Sequence, residues 1–229
     1  MVGMRRRGSG NGKQGGSGRR AGGRAVLSIA LLLFLATTAP AEEPGPRKFD
    51  LSAAVRHSFP FGSEEAGVEW SDLYDPGSGG ALEIGYRVQP RWALYFGGAY
   101  DHYPAKEVIL PTPVGTVSGR FNDQKLLTLY LGMKGYLLGA EFPQKSAGID
   151  PYLRADLGVT QFNGADFNGL SVAKRSRAFS FSVGLGADVL TYTNFIFFFE
   201  GRYEDHGTPD QAGNAFRAIP LSMGLRYLL

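Results

Sequence analysis

The stretch Leu221-Ser222-Met223-Gly224-Leu225-Arg226-Tyr227-Leu228-Leu229 decides the fold. Leu221, Met223, Leu225, Tyr227 and Leu229 share one parity; Ser222, Gly224 and Arg226 share the other. A period of two belongs to a β-strand, whose successive side chains point to opposite faces. One face is greasy, and the other holds a charge and a glycine. Which face points inward decides the architecture.

The same alternation recurs upstream, with no long segment of 3.6-residue period. Strands are predicted near residues 49–57, 80–89, 92–103, 125–138, 151–162, 178–191, 195–206 and 216–229. Leu82, Ile84, Tyr86 and Val88 oppose Glu83, Gly85 and Arg87. Leu127, Leu129, Leu131 and Met133 oppose Thr128, Tyr130, Gly132 and Lys134. Leu153, Ala155, Leu157 and Val159 oppose Arg154, Asp156, Gly158 and Thr160. Phe179, Phe181, Val183, Leu185 and Val189 oppose Ser180, Ser182, Gly184, Gly186 and Asp188. The segments at 49–57, 92–103 and 195–206 repeat the pattern, setting Asp50, Ser52 and Arg56, then Gly97 and Asp101, then Glu200, Arg202 and Glu204 against apolar partners.

A soluble barrel buries its apolar face; a membrane barrel turns it outward. The polar sets here carry Gly85, Gly97, Gly132, Gly158, Gly184, Gly186 and Gly224. Glycine saves room, which helps on the concave inside of a narrow barrel and gains nothing on a wetted exterior. The greasy face therefore points out, into lipid. Closure follows, because an open edge in lipid leaves backbone groups unsatisfied. The connections support this. Breaks at Pro90-Arg91 and Thr193-Asn194 are tight and that at 139–150 is moderate, whereas 58–79, 104–124, 163–177 and 207–215 are long. Short turns on one rim and long loops on the other are the asymmetry of transmembrane barrels. Trp92, Tyr86, Tyr192 and Tyr227 near the short-turn ends, and Tyr100, Tyr203 and Phe179 near the loop ends, suit the headgroup level.

The N-terminus agrees. Residues 1–41 hold seven basic residues and no acidic one, then the apolar run Ala25–Ala36, then Thr37-Thr38-Ala39-Pro40-Ala41. This reads as an export signal peptide over 1–41, cleaved after Ala41, with a linker over 42–48 and the barrel over 49–229. The run is shorter than the about 20 residues of a spanning helix. Without the leader, 17 basic residues face 21 acidic, a net charge of −4, so nothing points to nucleic acid. The absence of cysteine excludes disulfides, thiol catalysis and lipoprotein anchoring.

Taken together, these residues resemble the small eight-stranded outer-membrane barrels, the OmpA-, OmpX- and OmpW-like family, over about residues 49–229. The resemblance implies an all-β, eight-stranded antiparallel up-and-down transmembrane barrel in the cell outer membrane. It also implies contact with outer-membrane lipid and lipopolysaccharide and a monomer; unlike full-length OmpA-type proteins, no periplasmic peptidoglycan-binding domain is expected after the barrel. Gly224, Leu225, Tyr227 and Leu229 are similar to the C-terminal signal read by the barrel-assembly machinery; the family usually ends in Phe or Trp, and here the last residue is Leu.

The inward parity collects Arg56, Glu83, Arg87, Asp101, Lys134, Arg154, Asp156, Asp188, Glu200, Arg202, Glu204 and Arg226, together with Asp50. Such charges must pair or be hydrated. A salt-bridged core that fills the barrel and a polar conduit are the two readings. No cofactor or metal is expected, and no catalytic constellation stands out. The three histidines, His57, His102 and His206, lie near loop-side ends. His206 and Thr208 are similar to the His-x-Ser pair of barrel lipid A deacylases, but parity points His206 inward. In the loops, Phe59, Phe61, Val68, Trp70, Leu73 and Tyr74 of 58–79 and Val108, Ile109 and Leu110 of 104–124 either pack over the mouth or line an entry for an apolar solute. Lys174, Arg175 and Arg177 form a basic rim suited to lipopolysaccharide phosphates. The expected role is structural or surface-interacting and non-enzymatic, with a small channel or hydrophobic-solute conduit as the alternative.

Overall fold

The computed structural model describes residues 48–62, 69–112, 115–139, 148–190, 194–209 and 214–229. The leader and residues 42–47, the turn at 191–193 and most of 139–150 lie outside them. Eight long strands form the barrel: β1 (Lys48–Phe61), β2 (Gly77–Gln89), β3 (Trp92–Tyr103), β6 (Gln124–Tyr136), β7 (Gly148–Phe162), β10 (Ser176–Leu190), β11 (Phe195–Asp205) and β12 (Arg217–Leu228). Each joins its neighbours antiparallel in the order β1-β12-β11-β10-β7-β6-β3-β2, and β2 returns to β1. Closure runs from Asp50↔Leu228 to Phe61↔Arg217. No strand of the barrel is left with a free edge, which a bilayer core demands.

The parity read from sequence holds on every strand. Along β12, Leu221, Met223, Leu225, Tyr227 and Leu229 are exposed outward, while Ser222 and Arg226 are buried inward. The outward band includes Leu82, Ile84, Phe96, Leu129, Leu131, Leu153, Leu185, Phe197 and Phe199, all exposed. So continuous an apolar exterior has no place in water and matches a hydrocarbon environment. Near the short turns, Phe49 packs on Tyr86 at 4.8 Å between ring centroids and Phe195 on Tyr227 at 4.9 Å. Near the loops, Tyr203 sits between Phe61 and Phe181.

The inward glycines are required by space. A Cβ on Gly97 would come within 2.8 Å of the Tyr130 ring and 2.9 Å of Glu83 Cγ; one on Gly224 would strike the Phe198 ring. Real Cβ atoms do not approach so closely. Large inward side chains are therefore accommodated by absent ones on the neighbouring strand.

The structure corrects the loops. Strand β1 runs four residues past the expected end, through Pro60, and β2 starts three residues earlier, so the first connection is shorter than 58–79. It contains one helical turn, α1 (Trp70–Leu73). The connections expected as open loops at 104–124 and 163–177 are largely hairpins: β4 (Glu107–Thr112) with β5 (Gly115–Arg120), and β8 (Ala165–Phe167) with β9 (Leu170–Ala173). The second turns on Asn168 and Gly169, with φ of +50° and +80°. Both central residues at positive φ make the Asn-Gly hairpin turn whose twist suits paired strands.

Candidate functional site: the lumen and the long-loop rim

All twelve inward charges predicted from sequence are buried inside the barrel, as is Asp50. The structure adds Asp150, also buried, which gives six basic against eight acidic side chains among the described residues. Their packing follows from strand register: strands that are not neighbours in the wall face one another across the lumen.

One network runs through the middle. Arg154, on β7, reaches Glu200 on β11 at 2.8 Å, Glu83 on β2 at 3.0 Å and Asp156 at 3.0 Å. Glu83 also accepts from Lys134, on β6, at 2.8 Å. Arg202 continues it to Glu200 at 3.1 Å, Asp156 at 3.3 Å and Glu204 at 3.2 Å. Glu204 then meets Arg56 of β1 at 2.7 Å, and Arg56 meets Asp101 of β3 at 3.2 Å. Toward the short-turn rim a second cluster gathers around Arg226, which pairs with Asp188 of β10 and, at 3.4 Å, with Asp50. Between them the two groups draw on all eight wall strands. Arg87 donates to the Pro90 carbonyl at 2.9 Å and lies over the Tyr136 ring at 4.1 Å.

Sequence reasoning missed the tyrosines that complete the network. Tyr130 donates to Glu83 at 3.0 Å and Tyr152 to Glu200 at 3.0 Å, while Arg226 donates to the Tyr136 hydroxyl at 3.0 Å. The Tyr95 ring lies beneath both Arg154, at 4.4 Å, and Lys134, at 4.6 Å. Tyr130 and Lys134 already shared one parity in the sequence; that the hydroxyls would saturate carboxylates required the register.

A cavity of about 20 Å³ lies beside Thr128, Tyr130, Ser182, Arg202, Glu204 and His206. That holds about one water molecule. His206 is buried there, with Nδ1 at 3.1 Å from the Thr160 hydroxyl and Nε2 at 3.2 Å from Glu204. Thr208 is exposed and makes no bond to it, so the His206–Thr208 pair is not assembled. Among the described residues no group of His, Asp and Glu has the arrangement of a metal site.

Above the ions, the mouth is closed by apolar packing. Trp70, Leu73, Tyr74, Tyr103, Val108, Leu126, Phe162 and Phe216 form one buried cluster, and Trp70 donates its indole N–H to the Ala215 carbonyl at 3.1 Å. Of the two readings of these loop residues, the structure forms the packed lid. Ile109 is largely exposed and Phe59 is exposed on the extended β1, where Phe61 is half-buried; Val68 and the Leu110 side chain lie outside the described residues. Outside the lid, Asp123 ties the loop bases together: it accepts from the Ala105 backbone N–H at 3.0 Å and faces His102 Nε2 at 3.0 Å and Arg120 at 3.2 Å. The Ala105 bond, with His102 beside it, holds the Asp123 carboxyl below its ordinary range. Lys174, Arg175 and Arg177 are exposed on the long-loop side.

Gly224 is placed by packing against Phe198, and Leu225, Tyr227 and Leu229 lie on the outer surface of the closing strand.

Comparison with known proteins gives the same picture. Neisserial surface protein A (NspA) is similar in structure, with 21% identity, a TM-score of 0.52, and coverage of 78% of this chain and 96% of its own. At that identity the likeness speaks for the fold alone. Ail of Yersinia pestis (16% identity, 81% and 99% covered, TM-score 0.41) and the N-terminal barrel of Pseudomonas aeruginosa OprF (16%, 78% and 97%, 0.43) score too low to add an argument. No curated protein matches the sequence. The profile of the outer membrane protein beta-barrel domain matches residues 27–227, and the chain belongs to that family.

Proposed function

We propose that this protein is a sealed outer-membrane scaffold that works through its long-loop surface, without conducting solute and without catalysing a reaction. One observation carries the reading: the ion network that crosses the lumen from Arg56 to Lys134, capped by the aromatic lid. A conducting path through it would need several buried charges to give up their partners at once, at about 3–5 kcal/mol for each broken pair. Export by the leader at 1–41, recognition of Leu225, Tyr227 and Leu229 by the assembly machinery, monomeric residence in lipid and contact of Lys174, Arg175 and Arg177 with lipopolysaccharide belong to the same reading.

Planar-bilayer conductance of the refolded full chain tests it, with heat-modifiable gel mobility as the folding control. Silence from the folded species is the expected result. Reproducible small steps would replace the scaffold with a small channel and make Arg154 and Glu200 selectivity residues.

A further inference from the structure

The tripeptide Phe-Asn-Gly occurs twice in one connection, as Phe162-Asn163-Gly164 and as Phe167-Asn168-Gly169. Asparagine is thermolabile, and a following glycine makes it most prone to lose its side-chain amide without an enzyme. The glycine backbone nitrogen attacks the asparagine Cγ, and no Cβ on the glycine hinders the approach. The new N–C bond forms as the Cγ–Nδ2 bond breaks, and the amide nitrogen leaves as ammonia with the glycine N–H proton. Water then opens the cyclic imide at either carbonyl, giving aspartate or isoaspartate. Water is the only co-reactant.

The two copies share this sequence and have opposite surroundings. Asn163 is clamped: its Oδ1 accepts from the Lys125 N–H at 2.7 Å, its Nδ2 donates to the Asp123 carbonyl at 2.9 Å, and its own N–H donates to the Lys125 carbonyl at 3.2 Å. Gly164 is pinned as well. Its carbonyl accepts from Asn122 Nδ2 at 2.9 Å, and a Cβ there would lie 2.6 Å from the Ala173 carbonyl oxygen. Asn168 sits at the exposed tip of the β8–β9 hairpin, and its amide bonds are longer: Oδ1 accepts from the Arg120 N–H at 3.1 Å, and Nδ2 donates to the Ser118 carbonyl at 3.4 Å. No described atom lies within 4 Å of the point that a Gly169 Cβ would occupy. The turn therefore has open space in which to swing the Gly169 nitrogen toward Cγ.

We propose that Asn168 is a site of spontaneous deamidation, and that its modification unlocks the β8–β9 hairpin from β5. The leaving nitrogen is the donor to Ser118. After hydrolysis a carboxylate oxygen faces that carbonyl, and attraction becomes repulsion. Isoaspartate also adds a methylene to the main chain, in a turn that needs two successive residues at positive φ. Phe167 is thereby moved off Gly119 and Phe121. The long-loop surface then has a form as made and an aged form with one more negative charge. The sealed lumen takes no part, so conductance and deamidation fail independently.

The test is peptide-mapping mass spectrometry of the full chain, folded in detergent and held at growth temperature and mildly alkaline pH, beside a sample unfolded in urea. Heat-modifiable gel mobility identifies the folded sample. Cleavage at Asp166 puts the two asparagines on separate peptides. Each conversion rate in the folded chain is divided by the rate of the same asparagine in urea. The fold is expected to protect Asn163 at least about fivefold more than Asn168, the effect of one further hydrogen bond to break. Asn168→Gln, whose longer side chain must close a larger ring, removes the fast conversion. In the deamidated fraction, hydrogen exchange at the Arg120 amide rises about fivefold. Equal protection of the two asparagines, stronger protection of Asn168, or a fast conversion that persists in Asn168→Gln overturns the site. Unchanged Arg120 exchange in the deamidated fraction overturns the unlocking.

Discussion

Asp123 shows how one side chain can hold a loop. It satisfies the Ala105 N–H that β3 leaves behind and draws His102 and Arg120 to the same point. Its carboxyl is held below the ordinary value, first by the Ala105 bond and then by His102. A group whose folded pKa is depressed stabilises the fold fully above its unfolded pKa, and the contribution is lost as pH falls through the folded value. Protection of the Ala105 amide against hydrogen exchange, corrected for intrinsic rate, should therefore be flat above the ordinary aspartate pKa of about 3.9 and fall below it. Asp123→Asn, which keeps an acceptor and cannot ionise, should abolish the step. A step of equal size in the variant would assign it to another group.

At the scale of elements, the two loop hairpins are stitched by a side chain. The Asn168 amide accepts from the Arg120 N–H at 3.1 Å and donates to the Ser118 carbonyl at 3.4 Å, taking the place of a neighbouring strand along β5. Gly119 makes the approach possible, because a Cβ there would lie less than 3 Å from the Phe167 ring and the Asn168 amide. Phe121 and Phe167 then pack at 5.0 Å between centroids. Asn168→Gly separates the two duties of the residue: glycine keeps the positive φ but carries no amide. The β8–β9 turn should survive, while exchange at the Arg120 amide rises about fivefold, the effect of one lost hydrogen bond of about 1 kcal/mol. Unchanged exchange would mean that the hairpins are held by the Phe121–Phe167 contact and by the bonds of Asn122 with Asp166 and Gly164 and of the Asn168 N–H with the Arg120 carbonyl.

For the whole molecule, the decisive feature is a core made of ions in place of oil. The apolar side chains are committed to the lipid side, so the inside must cohere by hydrogen bonds and charge. Glu200 sits at the centre, shared by Arg154, Arg202 and Tyr152. Glu200→Ala would take from Arg154 and Arg202 the carboxylate they share, leaving Arg154 with Glu83 and Asp156 and Arg202 with Asp156 and Glu204. Removing one partner of a buried pair costs about 3–5 kcal/mol. The urea midpoint for loss of heat-modifiable mobility should fall clearly. A wild-type midpoint in this variant would show that the network fills the lumen without stabilising the barrel.

The sequence by itself determined the number of barrel strands, the face of each and the sign of the inward residues other than Asp150, which lies one position before the expected start of its strand. Those follow from a period of two, which needs no partner to be read: Met223 and Arg226 differ in parity whatever surrounds them. Leu221–Leu229 therefore sufficed to orient the wall. The tertiary structure alone decided who pairs with whom. Glu200 and Arg154 belong to strands separated by β10, and their contact depends on shear and closure, which no local pattern records. The same holds for Tyr130 on Glu83, for Trp70 closing over Phe216, and for Asn168 on β5. Parity is local because each strand must place its own side chains in one of two media. Pairing is global because the lumen exists only once β1 has met β12.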